Sequence, residues 1–368
     1  MRKKKKKTPS SKLSVLDKIM LGVNILAALL LLLSYLAPDI DPRENSFIAV
    51  LGFCYQILLI ANALFVMFWV FRYTSLSLIS LISILIGYNT FFSYFQFNTD
   101  QIGRMEKSFR IMNYNVKQFK GAELENLSTQ KEVLEIIKAG RPDIIAFEEF
   151  ATSQIETDNF ISMLVKTQRF KYSFVKYFNT KRNEPNWTGN AIFSKFPIVD
   201  TGTIPTPTLL KTRCIFADIE YDNKVIRVYS FHLSAVTIQQ NEKSRYLKGD
   251  VSIGSSSFIH RKLASAFVAR SLQVSFIKKH IRKCPYPYII AGDFNDTPNS
   301  YSVNEIGYGL KNAFIEKGRG FETTYYSTYP LHIDHIFASQ QFDILGYQSI
   351  DKKISDHKPI LADIQLNK

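Results

Sequence analysis

The side chains with the most obvious chemistry fall in six short stretches of the last 268 residues. They read Asn113-Tyr114-Asn115-Val116, Phe147-Glu148-Glu149, Ser230-Phe231-His232-Leu233, Gly292-Asp293-Phe294-Asn295-Asp296, Ile333-Asp334-His335 and Ser355-Asp356-His357-Lys358-Pro359. Most have one shape: an apolar, partly β-branched run delivers a polar residue at its end. Oxygen donors brought by several strand ends to one sheet edge suit a hard divalent cation. A histidine with a carboxylate partner adds proton transfer near neutral pH. The chemistry open to such a set is metal-assisted cleavage of phosphate esters.

Strands and helices to carry these stretches are legible around them. Residues 109–115 alternate and run into Val116, as a strand ending in asparagine does. Val133, Leu134, Ile136 and Ile137, interleaved with Lys and Glu, predict an amphipathic helix over 129–139 that Gly140 and Pro142 stop. Residues 143–147 read as a buried strand with Glu148-Glu149 at its end, 189–194 as another, and 224–231 as a strand delivering His232. A long helix is expected over 257–283, bearing Arg261 and Arg270. Then come strands at 288–291, 332–338 and 360–364. Many strands with two clear long helices point to stacked sheets with helices outside. Asp293 and Asn295, two residues apart, are expected to share a face of one extended segment. Asp296 reads as a turn residue ahead of Pro298, and Arg270 as structural.

In this order and spacing the six stretches resemble the endonuclease/exonuclease/phosphatase superfamily, the DNase I-like metal-dependent phosphoesterases, over about residues 107–366. Gly-Asp-Phe-Asn at 292–295 and Ser-Asp-His-Lys-Pro at 355–359 are the most specific of them. The resemblance implies a four-layer α/β/β/α sandwich with its site at one edge of the paired sheets. It implies Mg²⁺, with Mn²⁺ as the alternative, held by Asn115 and Glu149, and Asp356 close to the metal. Glu148 stands where family members often carry Gln. Asp293 would orient or deprotonate the attacking water, and Asn295 would donate to a phosphate oxygen. His357 would be the general base with Asp334 orienting it, and His232 would stabilise the scissile phosphate as a cation. His335 should point away from the site.

The first hundred residues differ in kind. Arg2 to Lys7 are six consecutive cations, with Lys12 and Lys18 beyond them, and the chain's formal net charge is +14. Three uncharged apolar stretches follow, at 19–36, 47–71 and 76–97. Each approaches or exceeds the roughly 20 residues that cross a bilayer. A cleaved signal peptide competes for the first, but its apolar core is long and no small-residue cleavage site precedes Pro38-Asp39. The expected organisation is a basic cytoplasmic tail (1–18), a three-helix membrane anchor (19–97), a linker (98–107) reaching at most roughly 35 Å, and a catalytic domain (108–368). Lysines before the first span and Asp39, Asp41 and Glu44 in the first link predict a multi-pass protein of the cytoplasmic membrane with its catalytic domain outside. The bilayer is expected to contact residues 19–97. The substrate is expected to be a phosphate ester: a lipid head group or other envelope phosphodiester, ahead of nucleic acid, with small phosphoesters as a third class. An extracytoplasmic nuclease and a catalytically silent binding module are the rival readings. Cys54, Cys214 and Cys284 show no metal-binding spacing, and pairing of Cys214 with Cys284 stays open.

Overall fold

A computed structural model of the chain describes residues 13–98, 103–121, 128–152, 154–179, 187–207, 210, 212–236 and 253–367. The cationic run at 2–7 and part of the expected linker lie outside these residues.

Two six-stranded sheets carry the site. The first runs β13 (Phe342–Ser349), β14 (Ile360–Leu366), β2 (Ser108–Asn115), β3 (Ile144–Thr152), β5 (Trp187–Ser194), β4 (Tyr172–Asn179). The second runs β10 (Lys311–Asn312), β12 (Asp334–Ala338), β9 (Tyr288–Asp293), β8 (Lys224–His232), β7 (Arg213–Tyr221), β6 (Ile198–Thr203). Each contains one parallel pair, β2 with β3 and β8 with β9. The strands beside these pairs, β14 and β12, run antiparallel to β2 and β9. The C-terminal ends of four strands and the N-terminal ends of two therefore meet at one edge.

Alternation along the strands decides what lies between the sheets. Phe109 and Ile111 of β2, Ile144 and Ala146 of β3, Ile226 and Val228 of β8, Ile289 and Ala291 of β9 and Ile336 of β12 form one buried apolar layer. Intervening residues face outward and are covered by helices. Met112, Ile145 and Phe147 pack with Val133 and Ile137 of α6 (Gln130–Gly140) and with Phe160 of α7 (Gln154–Gln168). Tyr229, Ile290 and Phe337 pack with Val274 and Ile277 of α8 (Ile253–Ile281). The result is the expected α/β/β/α sandwich.

At the N-terminus lie α1 (Val15–Ser34), α2 (Ser46–Phe53), α3 (Tyr55–Arg72), α4 (Ser77–Ile86) and α5 (Tyr88–Tyr94). Among the described residues only α1 and α3 are long and apolar enough to cross a membrane alone, and α4–α5 is a third candidate if the bent pair counts as one span. This refines the expected spans. The stretch 47–71 is interrupted at Cys54, and its first part, α2, leans on α8. The stretch 76–97 bends by 63° at Gly87. A side chain at Gly87 would collide with the Tyr35 ring 2.1 Å away, so close helix approach demands glycine there. The stretch also ends early, because Phe95–Phe97 is not helical but a strand, β1, antiparallel to β11 (Arg319–Phe321). Within the bundle, Asn24 donates to Ser80 (2.5 Å), Ser80 to Asn62 (2.8 Å) and Trp69 Nε1 to Asn24 (2.8 Å), a satisfied polar network of the kind that glues apolar helices together. Asp17 pairs with Arg72 at one end of the bundle.

The other end is seated on the sandwich and not merely tethered to it. Ser271 Oγ donates to Asp41 (2.6 Å) and Asn304 Nδ2 to the Pro38 carbonyl (3.0 Å). Phe53 lies against Phe267 and Tyr329.

Candidate active site

Each sheet's inward-facing register turns polar at the shared edge. Asn113 and Asn115 continue the inward face of β2, Glu148 that of β3, Ser230 and His232 that of β8, Asp293 that of β9 and Asp334 that of β12. All are buried. Asp334 stands directly opposite Asp293, and His232 stands beside Asp293 on the other flank. His357 sits in the turn before β14, which antiparallel pairing brings to the same edge.

The hydrogen bonds converge on Asp293. Asn115 Nδ2 donates to Asp293 Oδ2 (3.0 Å), and the backbone N–H of Asn295 donates to Oδ1 (2.8 Å). His357 Nε2 lies 3.7 Å and His232 Nε2 3.8 Å from Asp293 Oδ2. Asp334 Oδ2 is 2.9 Å from His357 Nδ1, which fixes the ring so that Nε2 faces the centre. Ser355 Oγ is 2.8 Å from the Asn115 carbonyl and accepts from the His357 N–H (3.3 Å), tying that turn to β2. The Tyr325 ring packs edge-on to His357 at 4.9 Å.

Electrostatics divides the two histidines. Burial alone would lower the His357 pKa, but Asp334 and Asp293 outweigh it and raise it to about 10. Burial lowers His232 to about 4, with Asp293 opposing. Burial thus favours the neutral form of His232, against the cation that the resemblance implies. Burial, together with Asp334, raises Asp293, while His357 and His232 pull it back.

Glu148 and Glu149 part company. The β3–β5 register shifts between Phe147 and Phe150, and Glu149 takes a left-handed φ of 48°. This bulge re-aims a side chain that simple alternation would send into the outer aromatic layer. Glu149 Oε1 ends 3.9 Å from His232 Nε2, half-exposed and without a hydrogen-bond donor among the described residues. Glu148 is no solvated strand cap: it is buried between the sheets, accepts from Ser230 Oγ (2.9 Å), and burial beside Asp334 and Asp293 holds its pKa well above the ordinary range. Asp356 lies 3.6 Å from Lys117 Nζ and 3.3 Å from Ser355 Oγ.

Two expectations fail on backbone geometry. Asn295 does not share one extended segment with Asp293. The strand ends at Asp293, Asn295 adopts φ 52°, and its Nδ2 donates to the Leu233 carbonyl (3.1 Å). Asp296 is more than a turn residue. It is buried and takes Arg270 Nε at 2.9 Å, while Arg270 NH1 donates to the Ser234 carbonyl (2.8 Å). One buried cation from α8 thus ties together the chain segments leaving β8 and β9. His335 points outward, its Nε2 3.2 Å from the Asp296 carbonyl. Cys214 and Cys284 are free thiols. Sequence reasoning missed Asn113, Asn190 and Ser230, where Asn190 Nδ2 donates to Ser230 Oγ (3.1 Å). Counting every second residue back from Asn115 and His232, and from Ser194 in β5, would have found them.

Glu149, Asp293 and Asp334 bring carboxylates to the edge that also holds His357, a set of oxygen donors suited to a cation. The Asp293, Asp334 and His357 ligand atoms lie within 4.8 Å of one another. Within that trio Asp334 is engaged by His357, and Asp293 accepts from Asn115 and Asn295; the Glu149 carboxylate, and the second lone pair of the Asn115 amide oxygen that accepts from the Lys117 N–H (3.1 Å), are hard donors of the kind Mg²⁺ takes. The residues present therefore fit a divalent ion.

Residues 112–357 match the model of the Endonuclease/Exonuclease/phosphatase family, and residues 17–94 match that of a domain of unknown function, DUF8431. Among solved structures the chain is similar to an endonuclease/exonuclease/phosphatase from Beutenbergia cavernae (17% identity, 71% of this chain and 72% of that one, TM-score 0.53). It is also similar to the human Nocturnin catalytic domain with bound sulfate anion (19%, 72% and 97%, 0.52) and to an endonuclease/exonuclease/phosphatase from Bacteroides vulgatus (16%, 71% and 100%, 0.51). At these identities the likeness is one of fold. No curated protein matches the chain.

Proposed function

The chain belongs to the endonuclease/exonuclease/phosphatase family, and from that premise we propose that it is a membrane-anchored, Mg²⁺-dependent phosphoesterase acting outside the cytoplasmic membrane. The observation that carries this reading is the convergence on Asp293 of Asn115, His232 and the Asp334-held His357, with Glu149 re-aimed to the same edge.

Asn115 and Glu149 would hold the ion, with Asp356 near it. When bound, the ion supplies positive charge against phosphoryl oxygens. Asp293 is the base: its buried carboxylate has a raised pKa and takes a proton from the attacking water more readily than an exposed one does. His357, first expected to be the base, already carries a proton and serves instead as a positioned imidazolium whose Nε2–H meets charge developing on the phosphate. Asp334 orients that ring and keeps it charged. His232 offers a neutral N–H, and Asn295 its remaining amide proton. A silent binding module would need none of this proton bookkeeping.

The seating of the N-terminal unit supports this topology. The link 35–45 touches the sandwich through Pro38 and Asp41, as it would if both lay on the same side of a membrane. The Asp17–Arg72 end and the lysine tail lie on the other, which is cytoplasmic by the positive-inside rule. The bent pair α4–α5 then serves as the third crossing. Held at the outer surface, the site meets phosphodiesters of the membrane or envelope at high effective concentration, which places them ahead of soluble nucleic acid.

The test uses the full chain in lipid nanodiscs with bis(4-nitrophenyl) phosphate, with Mg²⁺ and with chelator, followed by plasmid DNA, RNA, 4-nitrophenyl phosphate and mixed lipid vesicles. Chelator-sensitive diester hydrolysis is expected. No hydrolysis of any of these would sink the reading, and nicking of DNA without release of lipid head groups would reverse the order of substrates.

A further inference from the structure

The catalytic strand β9 does not end freely. Asp293 is its last residue, and Asn295 beyond it takes a left-handed φ of 52°, a region asparagine enters more readily than most non-glycine residues, between two flanks held by other contacts. The upstream flank is the sheet. Downstream, Asp296 is pinned by Arg270 on its carboxylate and by His335 at its carbonyl. Three residues on, Asn299 is buried, and its hydrogen bonds leave the sandwich altogether. Asn299 Nδ2 donates to the Ser34 carbonyl at the C-terminal end of α1 (3.0 Å), and its backbone N–H donates to the Tyr94 hydroxyl at the end of α5 (3.4 Å). On a third side Gly52 of α2 lies so close that a Cβ there would stand 2.7 Å from the Asn299 carbonyl oxygen and 2.3 Å from Ala37 Cβ. A second route runs in parallel. Tyr329 OH donates to the Phe53 carbonyl (3.2 Å), and four residues earlier Tyr325 packs on His357. The segment that follows Asp293 and the segment whose Tyr325 packs on His357 are thus seated on the same end of the helical bundle.

We propose that the N-terminal helical unit is a structural part of the catalytic site, with Asn299, seated on Ser34, Tyr94 and Gly52, as the positioning residue that holds Asn295 and Asp293 in register with His357. This deepens the phosphoesterase reading and rests on it. A linker-tethered domain would lose nothing when its anchor is disturbed. A site completed by the anchor loses turnover.

The full chain in nanodiscs is compared as wild type, Asn299→Ala, Gly52→Ala, Tyr94→Phe and Leu64→Ala. Leu64 is an exposed residue of α3 remote from the seat, and its variant controls for disturbing the bundle. Hydrolysis of bis(4-nitrophenyl) phosphate with Mg²⁺ is read as kcat and KM, and amide hydrogen exchange over 293–300 is read without substrate or metal. Displacement on the order of 1 Å can cost up to ~10²-fold in rate. Asn299→Ala and Gly52→Ala are therefore expected to lower kcat about 10-fold or more, with KM and the Mg²⁺ half-saturation within about twofold. Both should speed exchange over 293–300. Tyr94→Phe should move the same way by less, and keeps the test alive if Gly52→Ala does not fold. Leu64→Ala should match wild type. Wild-type kcat and exchange in both Asn299→Ala and Gly52→Ala, or an equal loss in Leu64→Ala, would overturn the proposal. An inactive wild type would instead remove the phosphoesterase reading, and the exchange data alone would then decide whether the seat holds the loop.

Discussion

Replacing Asp334 by Asn separates orientation from charge at His357. The variant is isosteric, and its amide oxygen can still accept from Nδ1, so the ring stays aimed at Asp293. What disappears is the anion 2.9 Å away that, with Asp293, lifts the imidazolium pKa to about 10. In the wild type the ring keeps its proton throughout pH 6–8. With Asp334 neutral, the pKa falls because one of the two raising anions is gone, Asp293 still raising it and burial still lowering it, and a fall to the ordinary ~6.5 sets the scale of the effect. A ring of pKa ~6.5 is roughly three-quarters protonated at pH 6 and roughly 3% at pH 8, about a 25-fold fall. The sign is fixed: a raised pKa means the proton is held until pH rises through the higher value, so losing the anion costs activity on the alkaline side. The assay is kcat of Asp334→Asn relative to wild type on bis(4-nitrophenyl) phosphate at saturating Mg²⁺, from pH 6 to 8. The ratio should drop across that range, by up to about 25-fold. A ratio that stays level would show that Asp334 only orients His357, and a ratio that rises would restore His357 as the base.

Three further outcomes are expected. Glu149→Ala should raise the Mg²⁺ concentration for half-maximal activity by at least ~10-fold while the thermal transition stays in place, since its carboxylate is half-exposed and makes no hydrogen bond among the described residues; an unchanged metal titration would remove it from the metal site. Arg270→Ala leaves Asp296 buried without its partner and should destabilise the sandwich by about 3–5 kcal/mol, read as a lowered denaturation midpoint that Arg270→Ala combined with Asp296→Asn partly restores; no shift would mean that Asp296 finds other compensation. Reporter fusions after residue 98 should be active outside the cytoplasm and fusions after Arg72 inside, and cytoplasmic activity after residue 98 would mean that α4–α5 does not cross.

Much of the chemistry was already written in one dimension, because strand alternation and strand-end position are local properties. Asn115, His232, Asp293, Asp334 and His357 could be picked out because each ends or adjoins an apolar run, and the helix at 130–140 followed from its apolar spacing. The apolar stretches could be counted but not their breaks. The bend at Gly87 falls where Tyr35 packs against it, and the break at Cys54 where α2 turns onto α8. Glu149 reaches the site through a bulge that depends on β5 pairing, while its neighbour Glu148 is buried by the facing sheet. The two histidines shift in opposite directions for reasons of three-dimensional neighbourhood: Asp334, sequence-distant from His357, favours its protonated form, while burial favours the neutral form of His232. The Arg270–Asp296 pair joins residues 26 apart, and the seating of Asn299 on Ser34 joins residues 265 apart. Local sequence determined which side chains stand at the strand ends. Only the tertiary structure, by burial and long-range pairing, decided which are charged, which are aimed at one another, and which are held from the N-terminal helices.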